Sequence, residues 1–154
     1  MSDYAIEIVT AADVLDLRSA LLSRHQTGSA SVAVDEQPNA CHVAAYFDDK
    51  QVAVGSIHPE PMPDGYRTAA WRLYGVAVDY GHRGAGVGAL IVERCLHHAA
   101  GQEARAVWCI APAGTFGFFE RYGFLRTGDP IDDNHGPQYK LFVELGSPRK
   151  SWSI

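Results

Sequence analysis

The hydrophobic positions of this chain change their spacing along its length, and each change predicts a new element. Residues 4–9 alternate apolar and polar side chains as a strand does. From Val14 to Leu21 the apolar residues follow helical spacing, which predicts a helix to about residue 23. Thr10 and Asp13 stand at its start as a variant of the capping box, with Asp in place of Glu or Gln. Residues 24–40 have no clear period and predict a loop or a short second helix.

The middle of the chain predicts a hairpin and a long strand. Two apolar runs, 41–47 and 51–58, flank Asp48-Asp49-Lys50 and are typical of a β-hairpin. A proline-rich connection covers residues 59–65, and 69–79 then predict a strand. Side chains of a strand alternate between its two faces. In this strand we expect Tyr74, Val76 and Val78 on one face and Trp71, Leu73 and Ala77 on the other.

The C-terminal half predicts two helices and two strands. A helix from Ala85 to about Ala100 is followed by a strand at 104–110, a short helix at 112–122 and a last strand at 139–145. The buried side of the long helix is expected to carry Ile91, Val92, Cys95, Leu96 and Ala99. This order predicts a mixed α/β sheet with helices on both faces, in a single domain from residue 4 to 146 with a loose C-terminal tail at 147–154.

Composition and charge narrow the class of protein. Of the 154 residues, 47% are hydrophobic and 20% are charged, which is ordinary for one soluble globular domain. The net charge of -5 argues against a nucleic-acid partner, which requires a basic face. No apolar run reaches the length of a membrane span, and the N-terminus has no leader features, so we expect a cytoplasmic protein. The three cysteines lack metal-ligand spacing and predict reduced, buried thiols and no metal site.

The turn between the long strand and the long helix carries the candidate chemistry. It reads Arg83-Gly84-Ala85-Gly86-Val87-Gly88, and three glycines in five positions let the backbone approach a ligand closely. Because the N–H groups of a helix start are unpaired and lie at its positive end, such a turn binds phosphate or pyrophosphate. The dinucleotide pattern G-x-G-x-x-G and the Walker A pattern are both unmet.

A second motif supports a specific resemblance. Phe118 to Phe124, FFERYGF, begins 30 residues after Gly88, which leaves room for one helix and one strand. Together with Arg83, Gly86 and Gly88 it resembles the GNAT-type (GCN5-related) N-acetyltransferases, whose signatures are Arg/Gln-x-x-Gly-x-Gly/Ala and F-Y-E-(K/R)-x-G-F. The segments WRLYGVAV at 71–78, Trp108-Cys109 and Gly136-Pro137 are similar to a bacterial branch of small acyltransferases in this family.

The resemblance implies the GNAT acyl-CoA N-acyltransferase fold and a function. The protein would transfer an acetyl group from acetyl-CoA to a primary amine of a small molecule or peptide, by direct attack without a covalent intermediate. The pantetheine arm would pair with the backbone at 76–78, the pyrophosphate would bind the amides of 83–89, and two aromatic rings would lie near the thioester. The implied coenzyme A residues are Val76, Ala77, Val78, Arg83, Gly84, Ala85, Gly86, Val87, Gly88, Ala89, Phe116 and Phe119.

The catalytic groups are less clearly indicated. The family often has a tyrosine where this chain has Phe119, and that tyrosine protonates the leaving thiolate. Tyr122, one helical turn further on, is the candidate acid here, with helix packing and protonation by water as the alternatives. His58 is the candidate base because the unperturbed pKa of histidine suits the role. Glu60, Asp64 and His82 are alternative bases.

Two other functions stay open at this point. A catalytically weak CoA-binding sensor or regulatory module is favoured by Phe119, and a different nucleotide-binding protein would use the glycine turn alone. The acceptor would be selected by three loops at 24–40, 59–68 and 129–138, which carry no recognisable specificity code. The acidic residues Asp129, Asp132 and Asp133 would either attract a cationic amine there or simply form a solvated loop, which is the commoner role of such a cluster. The resemblance also makes a homodimer possible.

Overall fold

Seven strands form one mixed sheet in a computed structural model that describes residues 3–22, 33–62, 69–133 and 136–146. The strand order is β1-β2-β3-β4-β5-β7-β6, and every neighbouring pair is antiparallel except β4 with β5, which is parallel. The strands are β1 (Ala5–Val9), β2 (Cys41–Phe47), β3 (Lys50–Pro59), β4 (Ala70–Val78), β5 (Ala106–Pro112), β6 (Leu125–Asp133) and β7 (Gly136–Glu144). The helices are α1 (Leu15–Leu22), α2 (Val87–Gly101) and α3 (Phe116–Glu120), and short 3₁₀ turns include Ala33–Glu36 and Tyr80–His82.

The helices cover both faces of the sheet, as predicted. On one face α2 packs over β2, β3 and β4 and buries its predicted apolar residues in the main core. On the other face α1 packs over β3 and β4, where Val14 and Leu21 meet Ala44, Val54 and Ala77. The predicted fold class is therefore confirmed. The sheet runs from residue 5 to 144, and the predicted tail at 147–154 lies outside the described residues.

The start of α1 has the predicted cap. The backbone N–H of Thr10 donates to Asp13 Oδ2 at 3.0 Å, and the backbone N–H of Asp13 donates to Thr10 Oγ1 at 3.3 Å. Thr10 Oγ1 also donates to Asp13 Oδ2 at 2.9 Å. This exchange satisfies N–H groups that a helix start otherwise leaves unpaired.

The predicted alternation along β4 is wrong, because the strand contains a bulge. Ser56 pairs with Tyr74 and Val54 pairs with Ala77, so two steps along β3 correspond to three along β4. The extra residue is Gly75, at φ +65°. A bulge reverses the faces that follow it. Tyr74 and Ala77 therefore share the α1 face, while Val76 and Val78 pack against the α2 core together with Leu73.

The predicted loop at 129–138 is also wrong in part, because β6 occupies residues 125–133 and gives the sheet a seventh strand. Gly128 and Pro130 are residue types typical of loops, but hydrogen-bonded pairing with β7 keeps this segment in the sheet as an edge strand. Thr127 pairs with Lys140 and Ile131 pairs with Gln138, so four steps on β6 match two on β7. Edge strands tolerate such irregularity because one side needs no partner.

The three cysteines, Cys41, Cys95 and Cys109, are buried free thiols. Burial raises the pKa of the Cys109 thiol to about 12, so this group stays protonated and is a poor nucleophile. Within the described ranges no helix is long and apolar enough to cross a membrane. The same residues contain no group of three or more His, Cys, Asp or Glu placed to hold a metal ion.

Candidate active site

The parallel strands β4 and β5 separate and leave a wedge in the sheet. They pair through Ala70–Arg72 and Ala106–Trp108, and no further pair joins them among the described residues. Beyond this point β5 continues to pair with β7 as far as Pro112, which faces Gln138. The edge of β4 from Leu73 to Val78 therefore turns its backbone groups toward a gap. Backbone groups without a strand partner are available to an extended ligand.

The glycine turn lies at the wide end of this wedge. Gly84 and Gly86 have φ of +81° and +87°, and a methyl group on either would meet no atom within 4 Å. Gly86 is the N-cap of α2 and has no side-chain hydrogen bond to the helix, so the first-turn N–H groups are not capped. A Cβ on Gly88 would lie 3.3 Å from Val78 Cγ2, so here glycine brings the helix close to β4.

Two side chains fix the turn to its surroundings. Arg83 Nε donates to the carbonyl of Val78 at 3.1 Å, and its guanidinium lies 4.0 Å from the ring centroid of the exposed Tyr80. The His82 ring shares a 3.0 Å hydrogen bond with the hydroxyl of Tyr4 and packs 5.2 Å from Phe47. His82, an alternative base in the sequence, therefore anchors the turn to the β1–β2 edge.

The two aromatic residues predicted near the thioester, Phe116 and Phe119, lie in different environments, and a third ring lies closer to the glycine turn. Phe119 is buried in the α2 core against Phe124, with ring centroids 5.5 Å apart. Phe116 is half-buried, and the guanidinium of Arg126 lies 5.0 Å from its ring centroid. Phe118 is the ring that approaches the glycine turn, because a Cβ on Gly88 would lie 3.6 Å from it. The sequence motif contains Phe118 but did not identify it as a site residue.

Tyr122 packs inside the core. It is 9% exposed, and its ring centroid lies 5.7 Å from that of Phe118. Burial, and secondarily the charge of Glu93, raises the pKa of the Tyr122 hydroxyl. A thiol such as that of cysteine titrates near 8.5, so proton transfer from this hydroxyl to a thiolate is uphill. The geometry supports the packing alternative for Tyr122, and its role as an acid stays a prediction.

A charged cluster lies beside the closed end of the wedge, on the face opposite α2. His58 Nε2 is 2.8 Å from Glu60 Oε1, and Arg72 places its guanidinium 3.7 Å from Glu60 Oε2. The indole N–H of Trp108 donates to the carbonyl of Glu60 at 2.9 Å, and Arg72 stacks over this ring at 5.0 Å. Two of the predicted bases, His58 and Glu60, are thus one pair. Asp64 lies outside the described residues.

A buried polar network adjoins this cluster through Tyr74, whose ring meets that of His58 at 5.7 Å. The hydroxyl of Tyr74 donates to Asp35 Oδ1 at 2.8 Å. Burial and this hydrogen bond raise the pKa of Tyr74 far above its usual value, so the hydroxyl stays protonated. Asp35 Oδ2 in turn pairs with Arg18 at 2.8 Å. The sequence analysis did not identify Arg18 as part of a site. The feature that could have revealed it is its position four residues after Val14, where α1 otherwise has apolar side chains.

A separate cavity of about 270 Å³ lies at the other end of α2. Its lining includes Ile8, Trp71, His98 and Gln102. The helix is 15 residues long, which separates this cavity from the glycine turn by about 20 Å. His98 is half-buried and packs on Trp71, with ring centroids 5.6 Å apart. Burial lowers the pKa of the His98 imidazole, and the charge of Arg94 adds to the effect.

The chain is similar to known proteins in sequence and in fold. Residues 12–124 match the acetyltransferase (GNAT) family. The chain is 25% identical over 140 residues to YitI of Bacillus subtilis (strain 168), an uncharacterized N-acetyltransferase, covering 88% of this chain and 94% of that protein. Escherichia coli ElaA superposes with a TM-score of 0.76 at 17% identity over 90% of this chain and 98% of that one. An aminoglycoside 6'-N-acetyltransferase complexed with coenzyme A superposes with a TM-score of 0.74 at 16% identity over 94% and 99%, respectively.

Proposed function

The chain belongs to the acetyltransferase (GNAT) family, whose members are acyltransferases, and on this premise we propose that it transfers an acetyl group from acetyl-CoA to a primary amine. The observation that carries the proposal is the meeting of the β4–β5 wedge with the uncapped start of α2. Strand-edge backbone suits the amide-rich pantetheine arm, and helix-start N–H groups suit a pyrophosphate. The acceptor is a small molecule or peptide, and the cytoplasmic location and the homodimer remain predictions.

The residues present fit coenzyme A. A Cβ on Gly84 or Gly86 would meet no atom of the described residues within 4 Å, and a diphosphate needs such an open approach to the turn. We assign the pyrophosphate to the amides of 83–89 and the pantetheine arm to the edge of β4 at Val76–Val78. We place Phe118 and Phe116 as the aromatic side chains that line the thioester site. Phe119 packs in the core beneath the site and supports it from there. The backbone amide of Val78 is the candidate donor to the thioester oxygen.

The chemistry proceeds by direct attack. The amine nitrogen forms a bond to the thioester carbonyl carbon, and the carbon–sulfur bond breaks, so that the electron pair leaves with the coenzyme A sulfur. Placing the two reactants together supplies much of the rate. His58 takes the amine proton: with Nε2–H donated to Glu60, Nδ1 is the nitrogen that accepts. The coenzyme A thiolate takes its proton from solvent, because the Tyr122 hydroxyl is buried in the core.

Calorimetric titration with acetyl-CoA, with NAD and ATP as controls, tests the proposal. We expect selective binding of acetyl-CoA by the wild type, and turnover in a thiol-release assay over a panel of amines. Gly86→Glu should weaken acetyl-CoA binding by about tenfold or more, equivalent to about 1.4 kcal/mol. The new carboxylate would lie beside the phosphates, and a side chain is strained at a φ of +87°.

Gly101→Glu is the matched control. Gly101 ends the same helix, and a Cβ there would also meet no atom within 4 Å. This variant should bind acetyl-CoA as the wild type does. Equal weakening by both substitutions, or no binding of acetyl-CoA by the wild type, would refute the proposed site. Tight binding without turnover of any amine would favour the sensor function instead.

A further inference from the structure

The ion pair between Arg18 and Asp35 is almost fully buried. The side chains are 3% and 2% exposed, and Arg18 NH1 lies 2.8 Å from Asp35 Oδ2. Removing two charges from water costs several kcal/mol per ion, and well-packed apolar residues of similar volume are often equally or more stabilising. Position 18 stands in the apolar stripe of α1 between Val14 and Leu21, where such a residue would pack. Net stability therefore does not explain why an arginine is there.

The contacts of the guanidinium point to a different role. Arg18 NH2 donates to Ser56 Oγ at 2.9 Å, on the strand next to β4. A Cβ on Gly75 would lie 2.9 Å from Arg18 Nε and 3.3 Å from its Cζ. The guanidinium thus occupies the place of a side chain on the bulge residue. Gly75 is required here both for its φ of +65° and for this contact.

The partners of Arg18 are themselves held on several sides. Asp35 accepts the Tyr74 hydroxyl at 2.8 Å with its other oxygen, and the Tyr74 ring lies 5.5 Å from the guanidinium carbon. The His42 ring forms two hydrogen bonds, one between Nδ1 and Ser56 Oγ at 2.7 Å and one between Nε2 and the carbonyl of Asp35 at 3.1 Å. Hydrogen bonds that share their partners in this way favour one geometry of the guanidinium. Both carboxylate oxygens of Asp35 serve this network.

The bulge lies in the part of β4 that faces the wedge. Bulges change the direction of a strand and of the groups after it, and they are frequent beside active sites. Pairing of β4 with β5 has ended before Gly75, and on the other side β3 pairs with Tyr74 and then with Ala77 and Val78, so neither strand pairs with Gly75 itself. The guanidinium packs against Gly75 from the α1 face and so restrains the bulge between these two paired stretches.

We propose that Arg18 is a positioning residue, held by Asp35 and Ser56, that sets the β4 bulge and so aims the backbone amides that meet the acyl group. This inference rests on the proposed acetyl transfer. Arg18 does not touch the substrate. Its removal should affect the orientation of the thioester and the chemical step, while the pyrophosphate site at the start of α2 keeps its affinity.

The test variant is Arg18→Lys, which keeps the charge opposite Asp35 but loses the planar fork that reaches Ser56 and Gly75 together. We expect acetyl-CoA affinity within about twofold of wild type by calorimetry. The kcat per binding-competent molecule should fall by about tenfold to a hundredfold, since a misplacement of about 1 Å can cost a hundredfold. Leu17→Met, on the same helix and outside the network, is the matched control and should keep wild-type kcat.

A spectroscopic measurement reads the position of the acyl group without an acceptor. Infrared difference spectra of acetyl-CoA labelled with ¹³C at the carbonyl report hydrogen bonding to that oxygen. The carbonyl band of the bound ligand should move to lower frequency in the wild type and in Leu17→Met. In Arg18→Lys it should return toward the band of free acetyl-CoA. Arg18→Met/Asp35→Asn, which removes both charges, should behave in the same way if the lysine variant fails to fold.

The outcomes separate this inference from the proposed function. If the wild type binds no acetyl-CoA, the proposed function fails and the inference with it. If the wild type binds and shifts the carbonyl band, and the Arg18 variants keep both the shift and kcat, only the positioning role is overturned. A wild-type band identical to that of free acetyl-CoA would also overturn it, as would loss of folding in both Arg18 variants.

Discussion

Gly55 lies in β3 directly beneath α2, where the structure leaves no space for a methyl group. A Cβ at this position would lie 2.5 Å from Ile91 Cγ2, 3.5 Å from Val76 and 3.8 Å from Cys95. Carbon atoms in contact prefer separations of about 3.5–4.0 Å. Among the described residues, Gly55→Ala would therefore overlap severely with one methyl of Ile91 alone, on the helix that carries the glycine turn.

The size of the effect follows from this overlap. Relieving a contact of 2.5 Å requires the helix and the sheet to separate by about 1 Å, and overpacking of this kind costs about 1–3 kcal/mol. In a chain of this size each kcal/mol lowers Tm by about 2–4 °C, so Gly55→Ala should lower Tm by about 2–12 °C. The free energy of unfolding is measured by urea denaturation followed by circular dichroism, and Tm by calorimetry.

Two substitutions of Ile91 distinguish the contact from a general loss of packing. Ile91→Leu removes the Cγ2 methyl and keeps the volume, whereas Ile91→Val keeps that methyl. In double-mutant cycles, Ile91→Leu should recover most of the loss caused by Gly55→Ala, and Ile91→Val should recover none. Equal recovery by both would refute the assigned overlap. A Gly55→Ala variant as stable as the wild type would show that α2 does not pack against β3 as described.

The remaining predictions concern the base and the helix cap. His58→Gln should lower kcat/KM by about a hundredfold or more while acetyl-CoA affinity stays unchanged; an unchanged kcat/KM would assign the base to another group. Hydrogen bonds from the Thr10 backbone and then its hydroxyl hold the pKa of Asp13 below its usual value. Asp13 therefore favours the folded state above the ordinary carboxyl pKa of about 3.9, and this contribution is lost as pH falls through the folded pKa. Asp13→Asn should lower Tm at pH 7, and this deficit should shrink as the pH falls below the ordinary carboxyl pKa; a deficit of unchanged size in acid would contradict the charged cap.

Local chemistry explains which features could be read from the sequence. The glycine turn was identifiable because Gly84 and Gly86 adopt φ values that only glycine accepts easily. The residue type therefore indicates the backbone conformation. The cap of α1 needs only two side chains three residues apart. The buried face of α2 could be predicted because its apolar residues recur with the helical period of 3.6 along the whole helix. Two motifs separated by one helix and one strand then sufficed to identify the family.

The tertiary structure decided those features that depend on partners distant in the chain. The β4 bulge is defined only by the register against β3, so Gly75 alone could not reveal that the two faces exchange after it. The strand β6 exists because β7 lies beside it, despite Gly128 and Pro130. Arg18 becomes a buried partner of Asp35 only when α1 docks on the sheet. The wedge itself is the place where β4 and β5 stop pairing, and pairing between strands is a property of their relative position, which neither strand encodes alone.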